Sequence, residues 1–331
     1  MIRKKETMQA LCIVTACLVM AASCMQHGSR PAVGDAAATD SAATATEVTT
    51  NTRASHQLVL PTPPAILNDA QDCAAFIAQH YWDNFNFRDT TWIADTAALE
   101  QTYANYIAML KLLSTENAAN AQKQLIRRSA VCAPMLARMA SVAAHYLDDP
   151  NSPLRNEELY IPVLEELIAS DSMQETDKIR PRYRLEMARK NRPGMMAADF
   201  AYTTANGSGS RLSALRAYYI LLFFYNPGCP ECMWVKEYIA ASQTFSADIQ
   251  SGKLRVLAVY PDEDVDQWRQ HLEEMPQEWT TGYDRGSVIL KKKLYDLRAI
   301  PCLYLLDEQK RVILKDASIE QIEARISEII N

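Results

Sequence analysis

The amino-acid sequence predicts an all-helical domain followed by an α/β sandwich. Only nine of the 331 residues are glycine, and none of them lies between Asp35 and Pro193. A stretch without glycine favours helices joined by short loops, because such loops rarely need positive φ angles. After Pro193, apolar runs alternate with helical patterns, which is typical of an α/β domain. The length of the chain agrees with two domains.

Composition narrows the classes of function. The chain has 34 basic and 40 acidic residues, a formal net charge of −6, and no basic block. This balance argues against nucleic acid as a partner. Eight cysteines are too few for a small disulfide-dense fold. The cysteines are therefore the first candidates for reactive chemistry.

Residues 1–23 have the pattern of a secretory signal. A basic segment is followed by an apolar stretch over 10–23, which is too short to span a bilayer. Small residues precede Cys24 and resemble a bacterial lipobox, which implies that Cys24 is lipidated and begins the mature protein. Cys17 also fits a lipobox but leaves a seven-residue apolar region, so Cys24 is favoured. An ordinary signal peptide with incidental cysteines is the alternative.

Residues 24–59 are predicted to form a flexible tether. Between Pro31 and Gln57, 14 of 27 residues are Ala or Thr, and no apolar periodicity is present. With the lipid anchor, the tether predicts a protein of the cell envelope that faces the periplasm or the cell exterior. The pattern leaves open whether the inner or the outer membrane holds the anchor.

A helical domain of five or six helices is predicted over 60–192. Apolar residues recur there at spacings of three and four, Pro134 marks a kink or a break, and Asn156 is placed to cap a helix over Glu157–Ala169. Cys73 and Cys132 lie on apolar helix faces, where they either pair in an oxidising compartment or stay buried as thiols. The aromatic residues interpreted as core are Trp82, Phe85, Phe87 and Trp92.

The α/β domain is predicted over 193–331. Its central strand is the apolar and aromatic run over 218–225, which is typical of a parallel strand covered on both faces. The other predicted elements, in chain order, are strand 200–204, helix 229–246, strand 255–260, helix 265–274, helix 287–297, strands 302–306 and 312–314, and helix 320–330.

The sequence Cys229-Pro230-Glu231-Cys232 follows the central strand and opens a helix. Two thiols at this spacing on a first helical turn are a redox dithiol signature. The helix dipole and the free N–H groups favour the thiolate of Cys229, which makes it the nucleophile, while Cys232 resolves the mixed disulfide. A structural zinc site needs a second ligand pair that the sequence does not offer nearby, so no metal is expected. An inert structural disulfide is the other alternative.

A proline stands directly before a late strand, in Ile300-Pro301. With this feature, the chain resembles the thioredoxin superfamily over 193–331, most closely the TlpA/ResA-like thiol–disulfide oxidoreductases. The motifs that carry the resemblance are Met196–Phe200, Phe223-Phe224 before NPGCPEC, Lys293–Leu297, and Ile300-Pro301 with LYLLD. The resemblance implies a thioredoxin-like fold and a cis Pro301 that packs against the dithiol and exposes backbone to substrate. A trans proline at the start of an edge strand is the alternative.

The chain after its leader also resembles a family of lipoproteins from anaerobic Gram-negative bacteria. In these proteins a helical domain of unknown function precedes a thioredoxin module. The residues concerned are His80–Phe85, Asp149–Pro153 and Asn156–Pro162. This resemblance indicates the architecture and leaves the substrate open.

Three positions depart from the thioredoxin pattern. Phe223 stands where thioredoxins keep a buried acid, and Gly228 stands where a tryptophan usually precedes the first cysteine. In the absence of the acid, we assign proton transfer to solvent or to Glu231. Cys302 follows Pro301 and is expected near the dithiol. It is either a third redox or regulatory thiol or a small buried apolar residue, and the second interpretation is favoured.

These features predict a membrane-tethered thiol–disulfide oxidoreductase, a reductase or isomerase that uses the Cys229–Cys232 dithiol without metal or organic cofactor. Pro230, between the cysteines, does not fix the direction of transfer. The expected partners are protein clients with disulfides or thiols and a membrane-bound or thioredoxin-like electron donor. The alternative is a lipoprotein that binds a ligand or partner and uses the thioredoxin fold as a scaffold. The intact dithiol favours the oxidoreductase, because a pure scaffold does not need it.

Overall fold

The structure is a computed structural model, and it describes residues 56–330. The chain forms two compact units that meet in sequence between Gln174 and Glu175. Residues 175–192, which the sequence pattern places with the helical domain, belong to the second unit.

The described part of the first unit is helical. Its helices are α1 (Ala70–Gln79), α2 (Thr91–Ala94), α3 (Thr96–Leu110), α4 (Thr115–Ser129), α5 (Ala133–Leu147) and α6 (Glu157–Ala169). The predicted cap Asn156 accepts a hydrogen bond from the N–H of Leu159 and so starts α6. Ser114 starts α4 in the same way, since its hydroxyl accepts from the N–H of Asn117.

The predicted break at Pro134 is present. Helix α4 ends at Ser129, and Pro134 lies in the first turn of α5, where a residue without an N–H group costs no hydrogen bond. The same range, 60–192, also contains α7 (Ile179–Ala188), which belongs to the second unit. It therefore holds seven helices, one more than the upper prediction, and α2 is a single turn.

The aromatic residues near α1 and α2 form part of the core, as predicted. Trp82, Phe85, Phe87 and Trp92 are each at most 7% exposed. The Trp82 and Phe85 rings meet edge to face, with centroids 5.1 Å apart and an angle of 84° between the planes. This is the geometry of packed aromatic side chains, and it leaves no open cage between these two rings.

The second unit is built around a seven-stranded sheet of order β2-β1-β5-β4-β3-β6-β7. Its strands are β1 (Ala201–Thr204), β2 (Gly209–Arg211), β3 (Tyr219–Phe224), β4 (Leu254–Tyr260), β5 (Thr280–Tyr283), β6 (Cys302–Asp307) and β7 (Val312–Lys315). β3, β4 and β5 run parallel, and the other neighbours are antiparallel. β3 lies inside the sheet and is buried on both faces from Ile220 onward, which explains its uninterrupted apolar sequence.

Two apolar cores lie on opposite faces of this sheet. The remaining helices of the second unit are α8 (Pro230–Ala241), α9 (Gln243–Gln250), α10 (Val265–Gln270), α11 (Val288–Lys291) and α12 (Ile319–Ile330). One core contains Val235 of α8, Ile322 of α12 and Leu303 of β6, whereas the other contains Ile289 of α11 and Tyr304 of β6. The alternation along β6 is the period of two expected of a strand. The predicted order, an all-helical domain followed by a thioredoxin-like α/β sandwich, is confirmed.

Two predicted elements differ in the structure, and two strands, β2 and β5, were not predicted. The helix predicted over 229–246 is two helices, because Ser242 ends α8 and its hydroxyl caps α9. The helix predicted over 287–297 is wrong beyond Lys291, since the chain continues as a loop with Lys293 in the left-handed region at φ 51°. β5 is an additional strand, and its sequence TTGY lacks the apolar run that marks β3 and β4.

Candidate active site

Cys229 lies where the central strand gives way to a helix. β3 ends at Phe224, and Cys229 is the N-cap of α8, with Glu231 in the first turn. The Cys229 sulfur accepts a hydrogen bond from the backbone N–H of Cys232, with an N to S distance of 3.3 Å. This contact uses one of the N–H groups that a helix start leaves unpaired, and it stabilises negative charge on the sulfur.

The residues of this turn suit its backbone. Gly228 has a φ of +78°, in the left-handed region, where the tryptophan common in thioredoxins is strained. The departure at this position therefore has a local reason. Pro230 is the first residue of α8, where its missing N–H group costs no hydrogen bond.

The loop before β6 brings a second segment to Cys229. The Ile300–Pro301 peptide bond is cis, the isomer that the resemblance implies. Two acceptors lie within reach of the single hydrogen of the Cys229 thiol, the Ile300 carbonyl oxygen at 3.8 Å and a Glu231 carboxylate oxygen at 3.7 Å. Because the half-buried Cys229 sulfur lies beside the Ile300 carbonyl, a disulfide that reaches this sulfur also approaches the Ile300–Pro301 backbone.

Cys232 lies deeper, in the apolar core beneath α8. Its side chain is 3% exposed and belongs to the same cluster as Phe223 and Val235. Burial raises the pKa of the Cys232 thiol well above its ordinary value, and the hydrogen bond with Cys229 raises it further. Burial thus favours the protonated form of Cys232, and Cys229 is the more accessible of the two thiols.

The position of the missing acid is apolar in the structure. Phe223 is fully buried, and its ring packs 5.5 Å from that of Tyr225 and 6.3 Å from that of Trp279. The Trp268 indole N–H donates to the Tyr225 hydroxyl at 3.0 Å. Glu231, an exposed residue, is the carboxylate that contacts the Cys229 sulfur.

The expectation that Cys302 lies beside the dithiol is wrong. Cys302 is fully buried and pairs with Phe224 across β3 and β6, and both side chains belong to the core on the sheet face opposite Cys232. The Cys302 thiol donates to the Asp296 carbonyl oxygen at 3.7 Å. Because successive strand side chains point to opposite faces, the residue after Pro301 turns away from Cys229. The structure thus favours the small buried apolar residue over a third redox thiol.

Cys73 and Cys132 are half-buried thiols that are not joined to each other. The Cys73 thiol donates to the Leu67 carbonyl oxygen at 3.4 Å, and Cys132 is the N-cap of α5. The structure favours the unpaired alternative for both. Cys24, the predicted lipidation site, lies outside the described residues.

Neither a metal-binding cluster nor a membrane-spanning helix is present in residues 56–330. Within 56–330, no group of three or more His, Cys, Asp or Glu side chains is arranged to hold a metal ion. In that same part of the chain, no helix has both the length and the apolar character needed to cross a membrane.

Asn226 is a site residue that the sequence reasoning missed. Its carbonyl oxygen accepts the N–H of Cys229 at 3.2 Å, and its side chain donates to Asp262 at 3.1 Å. It also lines a cavity of about 560 Å³ whose wall includes Tyr260 and Lys291. Asn226 thus fixes the turn that carries Cys229. Its position just after the central strand was the feature of the sequence that could have identified it.

Comparison with known proteins places this geometry in a family. A crystal structure of a thioredoxin-like protein from Bacteroides caccae is 44% identical in sequence, with a TM-score of 0.80, and the match covers 83% of this chain and 99% of that chain. The chain belongs to the thioredoxin-like proteins. Within it, the AhpC/TSA family matches residues 193–315, and a domain of unknown function, DUF5106, matches residues 35–191.

Further solved structures are similar to part of this thioredoxin-like protein. The C-terminal domain of an uncharacterized protein from Bacteroides fragilis is 45% identical over 41% of this chain and 98% of that chain, with a TM-score of 0.41. The thioredoxin domain of a thiol-disulfide oxidoreductase from Bacteroides vulgatus is 19% identical over 42% of this chain and 99% of that chain, with a TM-score of 0.38. A comparison with curated proteins gives no match.

Proposed function

We propose that the protein is a membrane-tethered thiol–disulfide oxidoreductase that reduces or isomerises protein disulfides outside the cytoplasm. The observation that carries the proposal is the environment of the Cys229 sulfur. It accepts the N–H of Cys232 at a helix N-terminus and lies 3.8 Å from the carbonyl before cis Pro301. A half-buried sulfur that accepts an N–H group at a helix start, with a second thiol one turn later, is suited to thiol–disulfide exchange.

The reaction has two exchange steps. The Cys229 thiolate attacks one sulfur of the client disulfide, so that the client S–S bond breaks, a mixed disulfide forms, and the second client sulfur leaves as a thiolate that takes up a proton. Cys232 then loses its proton and attacks the Cys229 sulfur. This step forms the Cys229–Cys232 disulfide and releases the first client sulfur as a thiolate. Two electrons pass from the protein to the client, and an external dithiol donor restores the reduced form.

The proton of Cys232 needs a route out of the core. Phe223 offers no acceptor, and the leaving client thiolate or solvent at the open side of Cys229 can take the proton. Glu231 contacts the Cys229 sulfur at 3.7 Å and is exposed to solvent. We include Glu231 in the proposal as a relay between the dithiol and solvent. A Glu231→Gln variant is expected to slow resolution of the mixed disulfide by a few-fold, with little change in the first attack.

A turnover assay with disulfide substrates decides between this proposal and the alternative, a lipoprotein that binds a ligand or partner. We expect the wild type to reduce insulin disulfides with dithiothreitol as donor and to exchange with glutathione disulfide. Cys229→Ser is expected to reduce the rate to background, and Cys73→Ser, a control at an unpaired thiol in the first unit, is expected to retain it. Equal, near-zero activity in wild type and Cys229→Ser would instead support a ligand-binding role.

The protein clients can be identified by trapping them as mixed disulfides in the cell envelope. In Cys232→Ser the second step is blocked, so the mixed disulfide with Cys229 accumulates and can be isolated under non-reducing conditions. Protein clients in adducts that disappear in the Cys229→Ser/Cys232→Ser double variant support the proposed partners. A thioredoxin-like or membrane-bound donor is expected among the adducts when Cys229 attacks the donor's own disulfide, because Cys232→Ser has no Cys229–Cys232 disulfide for a donor to reduce.

The proposed location rests on the sequence of the leader. The apolar stretch and the small residues before Cys24 support a lipid anchor in the cell envelope. Metabolic labelling with a palmitate analogue is expected to mark the wild type and Cys17→Ser, and not Cys24→Ser. Labelling of Cys24→Ser with loss in Cys17→Ser would move the site to Cys17, and no labelling of any form would remove the anchor from the proposal.

A further inference from the structure

The loop between α11 and β6 is held from one side by residues that precede the sheet in sequence. Lys190 donates to the Lys293 carbonyl oxygen at 2.8 Å, and the Asn191 side chain donates to the Leu294 carbonyl oxygen, also at 2.8 Å. Further along this loop, Arg184 of α7 donates to an Asp296 carboxylate oxygen at 3.0 Å. Three successive points of the loop are therefore fixed by α7 and the residues just after it.

The ion pair in this arrangement is buried. The side chains of Arg184 and Asp296 are each 5% exposed. Arg298, from the same loop as Asp296, adds a second contact to its carboxylate at 3.3 Å. Removing one partner of a buried pair leaves a charge in the core, so such a pair specifies the position of the segment that carries it.

The end of α7 is itself anchored to the sheet. The Lys315 ammonium of β7 donates to the carbonyl oxygens of Met187, Ala188 and Lys190, at distances of 3.3, 3.1 and 2.7 Å. A cation at the last carbonyls of a helix satisfies groups that the helix leaves unpaired. Helix α7 is thus part of the rigid frame of the second unit, and it can hold a loop in place.

The held loop leads directly to the redox site. Asp296 also accepts the Cys302 thiol through its backbone carbonyl at 3.7 Å, so its position is coupled to the start of β6. Between Asp296 and Cys302 lies Ile300, whose carbonyl oxygen is 3.8 Å from the Cys229 sulfur. A shift of Asp296 therefore moves the backbone that any client disulfide approaches when Cys229 attacks it.

We propose that Arg184 is a positioning residue of the active site. Through Asp296, it holds the Ile300–Pro301 backbone in register with the Cys229 sulfur. Helix α7, which lies within the DUF5106 match, is on this proposal a working part of the thioredoxin-like module. The effect of Arg184 on catalysis rests on the proposed function, whereas its effect on the position of the loop rests only on the contacts described above.

The test compares substrates that need this backbone to different degrees. Insulin presents a peptide chain beside its disulfide, whereas 5,5′-dithiobis(2-nitrobenzoate) has no peptide backbone. In Arg184→Met, we expect kcat/KM for insulin to fall at least fivefold, and the rate with the small disulfide to change less than twofold. Arg182→Met is the matched control, because Arg182 lies on the same helix and forms an exposed ion pair with Glu175.

Hydrogen exchange gives a readout that does not depend on turnover. In the full chain, amides over 294–302 are expected to exchange at least tenfold faster in Arg184→Met than in wild type, with α12 unchanged. Should Arg184→Met fail to fold, Asp296→Asn and Arg184→Lys serve in its place, and Arg184→Lys is expected to restore part of the insulin activity.

Parallel losses on both substrates, with faster exchange throughout the second unit, would overturn the positioning role in favour of plain stability. Wild-type behaviour of Arg184→Met in both assays would overturn it as well. If wild type turns over neither substrate, the proposed function falls, and the exchange at 294–302 still decides whether Arg184 positions the loop.

Discussion

Replacing Cys302 by alanine is expected to reduce stability and to leave the redox potential of the Cys229–Cys232 pair unchanged. Cys302 is fully buried on the sheet face opposite Cys232. Losing one sulfur costs about 0.8 kcal/mol as apolar transfer. A residual cavity of roughly 20 Å³ adds about 0.5 kcal/mol at about 24 cal/mol per Å³. The total is about 1.3 kcal/mol, or a fall in melting temperature of about 3–5 °C for a domain of this size.

The redox part of this prediction follows from the sheet. With the sulfur of Cys302 directed away from the dithiol, we expect the potential to shift by less than about 10 mV, which for two electrons is about 0.5 kcal/mol. The assay is equilibration with glutathione buffers, read by thiol alkylation and mass, alongside thermal unfolding of both proteins. A shift beyond about 30 mV, or a disulfide from Cys302 to either active-site cysteine, would refute the geometric reasoning.

Three further predictions test other parts of the structure. Burial raises the pKa of Cys232 above the unfolded value of about 8.5, so the unfolded chain ionises first as the pH rises. Above pH 8.5, the unfolding free energy of the reduced wild type should therefore fall by up to about 1.4 kcal/mol per pH unit more than that of Cys232→Ala. Equal slopes of the two proteins in denaturant titrations between pH 8 and 10 would count against the raised pKa. Lys315→Met removes the cation at the end of α7 and should lower the free energy of unfolding by about 2 kcal/mol. Lys291→Met, at an exposed ion pair, is the control and should leave the melting temperature unchanged. Similar melting temperatures for the two variants would contradict this assignment. Trp82→Ala in the aromatic core should cost about 3–5 kcal/mol in denaturant titration, and a loss below about 1 kcal/mol would show that this cluster is not core.

Local sequence patterns predicted most of the fold. The apolar run of β3 and the spacing of Cys229 and Cys232 are contiguous features, and the structure places them inside the sheet and at the start of α8. The cap Asn156 and the break at Pro134 were predictable for the same reason, since each acts within one helical turn. Elements without a strong local signal were missed, namely the strands β2 and β5 and the loop beyond Lys291.

Contacts between distant residues were outside the reach of the sequence patterns. Arg184 and Asp296 are 112 positions apart, and nothing in either local sequence marks them as a buried pair. Asn226 and Asp262 meet because β3 and β4 run parallel and end at the same edge. The boundary of the second unit at Glu175 likewise depends on what α7 packs against, which local periodicity does not report.

By itself, the sequence predicted which residues carry the chemistry of the proposed function, because the spacing of Cys229 and Cys232 at the start of a helix is a local property. It also determined the order of a helical domain and an α/β domain, because helical and strand periodicities are local as well. Tertiary structure decided which groups face the dithiol. Neighbours along the chain can point to opposite faces of a sheet, as Leu303 and Cys302 do, and residues far apart can meet, as Cys229 and Ile300 do.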